Sequence, residues 1–384
     1  MRRFFLIAGE PSGDRLGAAL MAGLTDLLPQ VEFAGIGGLA MQAMGLHSQF
    51  PMDELSVMGI AEVLPKYFHL KRRIREAAAA ALDFAPDALI TVDSPDFCLR
   101  VAALVKAARP GLRVIHYVAP SVWAWRPGRA TRMALVVDHV LALLPFEPPL
   151  MQAAGMTCDF VGHPVVAEPL ASAAEKALIT GSSPLILTLP GSRKGEVMRL
   201  APVIGAVLAR VKDAHPTARV AVPTVPAVEG LVRQLTRDWP VSPQIITDAR
   251  EKRAAFAMAD VALAASGTVS LELAANACPM VIAYRLHPVS HWLMRRAALV
   301  DTVTLVNLVS ETRVVPEFLG PDCTAARIAP ALLELLASPH RQDAAMTITM
   351  DRLGKDGEPP GLRAARSVLG VGAHDFSAKN QAQR

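Results

Sequence analysis

Cysteine is scarce in this 384-residue chain: Cys98, Cys158, Cys278 and Cys323 lie far apart, with no C-x-x-C pair and no histidine at metal-ligand spacing. That excludes a disulfide scaffold and a structural zinc site, and reduced thiols are expected. Aromatic residues make up only 5% of the sequence and no recognised nucleic-acid module is present, so no nucleic-acid partner is expected. Although 52% of the residues are hydrophobic, no apolar run approaches the roughly 20 residues that cross a bilayer. The opening apolar stretch, residues 4–8, meets Gly, Glu and Asp too soon for a signal peptide and reads as a first strand. No D-x-D pair stands near the candidate nucleotide turns, so neither a bridging metal nor any other cofactor is expected.

What is present is a regular alternation of strand-length apolar runs with longer helical segments, the pattern of parallel sheets built from βαβ units. Candidate strands in the first half are residues 4–8, 31–36, 88–92, 114–118, 140–144 and 160–161. In the second half they are 185–189, 220–222, 245–246, 261–264, 280–283 and 304–305. The two halves repeat one plan, which predicts two Rossmann-like α/β domains, 1–168 and 169–345, followed by a helical segment and tail, 346–384, packing back on the first. Residues 168–184 read as the linker, and ligand loops at the carboxyl ends of the strands are expected to face a cleft beside it.

Two strand-turn-helix segments differ in charge. In "LPGSRKGEV" the turn offers Ser192, Arg193 and Lys194 where a helix begins, a natural anion site because free N–H groups and the helix dipole both favour negative charge. In "AGEPSGD" the equivalent turn carries Glu10, Ser12 and Asp14, which suit sugar hydroxyls or a structural turn rather than a phosphate. A second anion candidate is "ASGTVSLE", where Ser266, Gly267 and Thr268 open a helix and Glu272 lies one turn further, within reach of a ribose; ordinary helix capping is the alternative for Ser266 and Thr268. "DSPDF" puts Asp93 at the end of an apolar strand, where a general base is held, or where a turn needs a stabilising side chain; Asp96 suits a helix cap.

Formal charge is +4, and the densest cationic run is "PKYFHLKRRIRE", with Lys66, Arg72 and Arg73 among aromatic and aliphatic residues. It reads either as a solvated helix face or as a patch meeting acyl chains and anionic head groups. "HYVAPSVWAWRPGR" sets Trp123 and Trp125 beside Arg126 and Arg129, as core anchors or as an acyl or sugar surface, and "FVGHP" leaves His163 at a strand end.

Nine motifs in order, "AGEPSGD", "MGIAEVLP", "DSPDF", "HYVAPSVWAWR", "LPFEP", "FVGHP", "LPGSRKGEV", "ASGTVSLE" and "CPMVIAYR", closely resemble the lipid-A-disaccharide synthase family over most of the chain. The resemblance implies a two-domain GT-B glycosyltransferase, with the two sheets facing across a cleft. It would join UDP-2,3-diacylglucosamine to 2,3-diacylglucosamine 1-phosphate, giving a β-1,6-linked disaccharide 1-phosphate and UDP with inversion. It implies Asp93 as the base for the acceptor hydroxyl, Arg193, Ser192, Ser266, Gly267 and Thr268 as the diphosphate grip, and Glu272 on the ribose. It also puts Asn307 near the donor, although the family "LPNL" appears here as "LVNL", with Val306 in the proline position. The resemblance further implies a cytoplasmic protein held peripherally on the inner membrane, with Met58, Lys66, Arg72, Arg73 and Trp125 on the acceptor and lipid side. A homodimer is open to such a protein. Rival readings are another UDP-sugar transferase, such as the lipid-II-forming enzyme, a UDP-N-acetylglucosamine 2-epimerase, and a non-enzymatic nucleotide-binding module.

Overall fold

The computed structural model describes residues 1–55, 68–265, 267–285, 296 and 298–370, and the backbone of 60–67. The chain forms two compact units, Met1–Ala167 with Asp356–Arg384, and Glu168–Lys355.

The first unit holds β1 (Arg2–Ala8), β2 (Val31–Ile36), β3 (Ala88–Val92), β4 (Arg113–Tyr117), β5 (His139–Ala142) and β6 (Thr157–Phe160). They form one sheet in the order β2-β1-β3-β4-β5-β6, with every neighbouring pair parallel. Helices on both faces require apolar side chains on both sides of each central strand. β1 meets that demand: Phe5 and Ile7 enter the core beneath the helices Ile60–Phe84 and Pro95–Ala108, and Phe4, Leu6 and Ala8 the core beneath Pro11–Leu27 and Pro360–Leu369.

The last helix, Pro360–Leu369, belongs to this unit, whereas Asp343–Arg352 stays with the other. Gly361 lets it cross Pro11–Leu27 closely, since a Cβ there would stand 2.5 Å from the Ala19 carbonyl oxygen. A buried polar clasp completes the contact. His139 bonds Thr157 Oγ1 at 2.7 Å and Ser367 Oγ at 2.8 Å, and Ser367 donates to Asp159 at 2.6 Å. Ser367 and His139 are 6% and 4% exposed, so this serine, histidine and aspartate fasten a helix and meet no substrate.

The second unit repeats the plan with β7 (Leu185–Leu189), β8 (Arg219–Pro223), β9 (Gln244–Ile246), β10 (Val261–Ala264), β11 (Met280–Tyr284) and β12 (Glu317–Leu319), in the parallel order β12-β11-β10-β7-β8-β9. The helix after β7, Lys194–Ala214, presents Val197, Leu200, Ala201, Ile204, Val207, Leu208 and Val211 to the core, an apolar stripe at helical spacing.

Two sequence expectations change here. The expected strand at 304–305 is instead an extended Thr304 followed by the helix Leu305–Ser310, and the sixth strand is β12, a three-residue edge. The carboxylate of Glu317 explains the change, because it accepts the Val303 and Thr304 N–H groups and the Thr302 hydroxyl, occupying what a strand would offer a neighbour. Asp96 does not cap its helix: the helix begins at Pro95, with Ser94 as the cap residue and Asp96 in its first turn.

Candidate active site

In an open parallel sheet, ligands bind beyond the carboxyl ends of strands where the winding reverses. In the first sheet that point lies between β1 and β3, so the turns after them, Gly9–Glu10 and Asp93–Ser94, stand side by side. Gly9 allows this approach, since a Cβ there would come 2.6 Å from Ser94 Oγ. Asp93 and Ser94 both adopt left-handed backbone, φ 54° and 45°, and Val118 after β4 does so at φ 85°, which a β-branched residue rarely tolerates. Consecutive non-glycine residues in this region cost energy and cluster at functional sites.

Beside them opens a pocket of ≈ 160 Å³, lined by Asp93, Pro95, His116, Val118 to Ser121 and Arg129. His116 at its base is fully buried, bonds Thr91 Oγ1 at 2.7 Å and is pushed by burial to a pKa of about 4, so it is neutral near pH 7. His163 is likewise pushed to about 4 by burial and accepts the Val165 N–H.

The other residues named from the β1 turn divide. Ser12 is exposed in the first turn of Pro11–Leu27, and Glu10 is that helix's cap residue. Asp14 is 6% exposed and its carboxylate accepts the N–H groups of Gly38, Ala40 and Met41 at 2.8, 2.9 and 3.0 Å, so it takes the structural reading and not the sugar-binding one.

The reversal in the second sheet lies between β7 and β10. Their turns are tied at the start by the Ala265 N–H donating to the Leu189 carbonyl at 2.8 Å. Gly191 at φ 112° and Gly267 at φ 141° take conformations that a side chain would resist. Arg193 is the cap residue of Lys194–Ala214, its side chain 61% exposed and only loosely paired with Glu196 at 3.3 Å. Thr268 is the cap residue of Val269–Ala275 and makes no side-chain capping bond; Ser266 lies outside the described residues. Glu272 holds Lys252 at 2.7 Å.

Asn307 departs from expectation. It is 1% exposed; its amide donates to Val315 O at 3.0 Å and accepts the Val315 N–H at 3.0 Å. With both ends of the amide engaged inside its own unit, it fixes the Thr302 to Val315 segment and offers no amide to a ligand.

The cationic run is also only partly available. Arg73 is bonded to Glu54 at 2.7 and 2.8 Å and to Glu76 at 2.7 Å, and lies over the Phe50 ring, so its charge is spent within the fold. Arg72 keeps a side chain 62% exposed beside Glu76, and Phe68 is 82% exposed. Met58 and the Lys66 side chain lie outside the described residues. Among the described residues no helix is long and apolar enough to cross a membrane.

Comparison with known proteins decides the family. A family model described as lipid-A-disaccharide synthetase matches residues 4–359. A lipid-A-disaccharide synthase of Ruegeria pomeroyi is 61% identical over 96% of this chain and 95% of its own, and one of Rhodospirillum centenum is 46% identical over 99% and 97%. The chain belongs to the lipid-A-disaccharide synthase family. It is a glycosyltransferase of lipid A biosynthesis with two parallel six-stranded sheets.

Solved structures share the fold at low identity. UDP-GlcNAc 2-epimerase from Neisseria meningitidis, bound to UDP-GlcNAc, aligns with TM-score 0.65 at 13% identity, covering 96% of this chain and 99% of its own. Acinetobacter baumannii MurG aligns with TM-score 0.56 at 12% identity over 96% and 99%. These likenesses concern architecture alone, so the epimerase and transferase rivals are set aside by the family match.

One residue of this glycosyltransferase escaped the sequence reading. Glu147, in "LPFEP", is 4% exposed, accepts the Leu143 and Leu144 N–H groups at 3.2 and 3.0 Å and the Trp123 indole N–H at 3.2 Å, and is pushed by burial up to about 7. Trp123 is therefore anchored, with its ring edge-on to Phe146 at 5.4 Å. A signal was present, since a carboxylate placed between an aromatic residue and proline after a strand has backbone N–H groups within reach.

Between pH about 4.5 and 7 the folded chain holds a proton on Glu147 that the unfolded chain releases, so this site's contribution to stability falls as pH rises. Glu147→Gln stays neutral and keeps one acceptor for Leu143 and Leu144. Urea unfolding at pH 5 and pH 8 should show wild type losing on the order of 3 kcal/mol relative to the variant across that window. A difference that does not change with pH contradicts the assignment.

Proposed function

We propose that the chain transfers 2,3-diacylglucosamine from its UDP-activated form to the 6-hydroxyl of 2,3-diacylglucosamine 1-phosphate, with inversion at the anomeric carbon. The observation that carries this reading is Asp93, a partly exposed carboxylate lining a pocket at the winding reversal of the first sheet. As the acceptor oxygen bonds to the anomeric carbon, its proton passes to the Asp93 carboxylate. The bond from that carbon to the β-phosphate oxygen breaks, and the electron pair leaves with UDP. One base on the face opposite the leaving group suffices for inversion.

The departing charge needs donors aimed at it. Arg193 and the turns carrying Ser192, Ser266, Gly267 and Thr268 are assigned that role, and Glu272 meets the ribose on exchanging Lys252 for it. Fold relatives bound to UDP-GlcNAc in Neisseria meningitidis and to UDP in S. aureus support a UDP-sugar donor. Proton NMR of the product tests the stereochemistry. A β-1,6 linkage from the α-linked donor is expected, and an α linkage or an altered UDP-sugar formed without acceptor would remove the proposal.

For acceptor delivery we assign membrane contact to the helix Ile60–Phe84, with Phe68 entering the interface and Lys66 and Arg72 meeting anionic head groups. Each cation near such a surface contributes on the order of 1 kcal/mol, so replacing Lys66 and Arg72 together by Ser should weaken binding to anionic vesicles roughly tenfold or more. Arg73 is left in place because Glu54 and Glu76 hold it. Unchanged sedimentation with vesicles would sink the assignment.

A further inference from the structure

The pocket beside Asp93 has a cationic wall that the reading so far leaves unused. Arg129 lines it, and next to Arg129 the exposed face of Trp125 carries a second guanidinium. Arg126 lies 4.3 Å from the Trp125 ring centroid and Arg129 6.0 Å from it, with Trp125 38% exposed. Among the described residues neither arginine forms a salt bridge, in contrast to Arg73, Arg193, Arg253 and Arg313, each of which has a carboxylate. The backbone is bent to make this wall, with Arg126 at φ 52° and Val118 at φ 85°.

Two guanidinium groups within about 6 Å of an indole ring, with no carboxylate partner among the described residues, suit a dianionic oxyanion. The planar fork of arginine binds two phosphate oxygens at once, and stacking lowers the freedom lost on binding. Resting on the proposed reaction, the acceptor brings such a group: a phosphate monoester on C1, which only the ring oxygen separates from C5, the carbon bearing the C6 hydroxyl arm that must reach Asp93.

We infer that Arg129, with Arg126 held on Trp125, binds the acceptor's phosphate monoester while Asp93 on the same pocket meets its 6-hydroxyl. Anchoring the sugar at C1 selects which hydroxyl comes to the base. It also gives a reason for the acceptor to carry a monoester, since a diphosphate joined to a nucleoside would bring more bulk to the same wall.

The test compares two acceptors, 2,3-diacylglucosamine with and without the 1-phosphate, in wild type, Arg129→Ala, Arg129→Lys and Arg126→Ala. Wild type should prefer the phosphorylated acceptor. Arg129→Ala should lose about thirtyfold or more in kcat/KM on that acceptor, with little change on the other and none in the donor KM. Arg129→Lys should recover part of the loss, and Arg126→Ala should lose less. Equal losses on both acceptors, or no preference in wild type, overturn the inference.

Tryptophan fluorescence titrated with each acceptor in the absence of donor separates this claim from the reaction. If wild type binds the phosphorylated acceptor in preference, and Arg129→Ala does not, the anion site stands even where no disaccharide forms and the proposed reaction fails. If binding ignores the phosphate, the site falls whatever the turnover.

Discussion

Replacing Asp93 with Asn is expected to lower disaccharide formation about a thousandfold while leaving UDP binding unchanged, because a positioned general base contributes roughly 10²- to 10⁴-fold. Asparagine is the informative substitution. Asp93 sits at φ 54°, a conformation that Asn tolerates and Ala resists, so Asn removes the charge without adding backbone strain. The adjoining Ser94, also left-handed, and the Asp93 N–H donated to the Tyr117 carbonyl at 2.9 Å keep the side chain's origin fixed in either case. An unchanged thermal midpoint with lost turnover assigns the effect to chemistry. Undiminished turnover would mean that the acceptor proton leaves by another route, and Asp93 would then be only a turn residue.

Arg193→Ala should have the next largest effect, weakening donor use about a hundredfold. A guanidinium bonded to phosphate contributes roughly 1.5–3 kcal/mol, and charge building on the departing UDP raises its share in the transition state. Arg193 stands at the start of a 21-residue helix whose first N–H groups favour the same anion. Its 3.3 Å pairing with Glu196 is long, and the Arg193 side chain is 61% exposed although that of Glu196 is only 14% exposed, so the guanidinium can turn to a phosphate at modest cost. Isothermal titration with UDP measures the binding part, and steady-state kinetics the remainder. A change in acceptor KM alone would place Arg193 on the wrong substrate.

The parts of this molecule that were legible in the sequence are those where local pattern and tertiary demand coincide. β1 from Phe4 onward and β10 are continuous apolar runs, and β3 and β7 are interrupted only by the buried Thr91 and Thr188, because these strands lie mid-sheet with helices on both faces; their ends carry the turns whose chemistry stands out in the sequence. Asp93 could be placed at a strand end for that reason. What could not be read were side chains whose partners come from distant segments. Asp14 looks like a ligand residue in its turn, yet it closes on Gly38, Ala40 and Met41, and Arg73 looks like a surface cation until Glu54 is found against it. Asn307 is similar: its amide answers Val315, eight residues on, and the strand expected at 304–305 just before it is the start of a helix instead. The edge strand β12 is three residues long, too short to show a period. The cationic wall was visible as a cluster of two tryptophans and two arginines, but only the fold puts Arg129 into the pocket with Asp93.

The most direct measurement of the central claim is mass spectrometry of the products when purified protein meets UDP-2,3-diacylglucosamine and 2,3-diacylglucosamine 1-phosphate in detergent, with the Asp93→Asn variant alongside. The account predicts one disaccharide 1-phosphate formed for each UDP released by wild type, and almost none from the variant. UDP released without disaccharide, or a disaccharide formed equally well by both proteins, would contradict it.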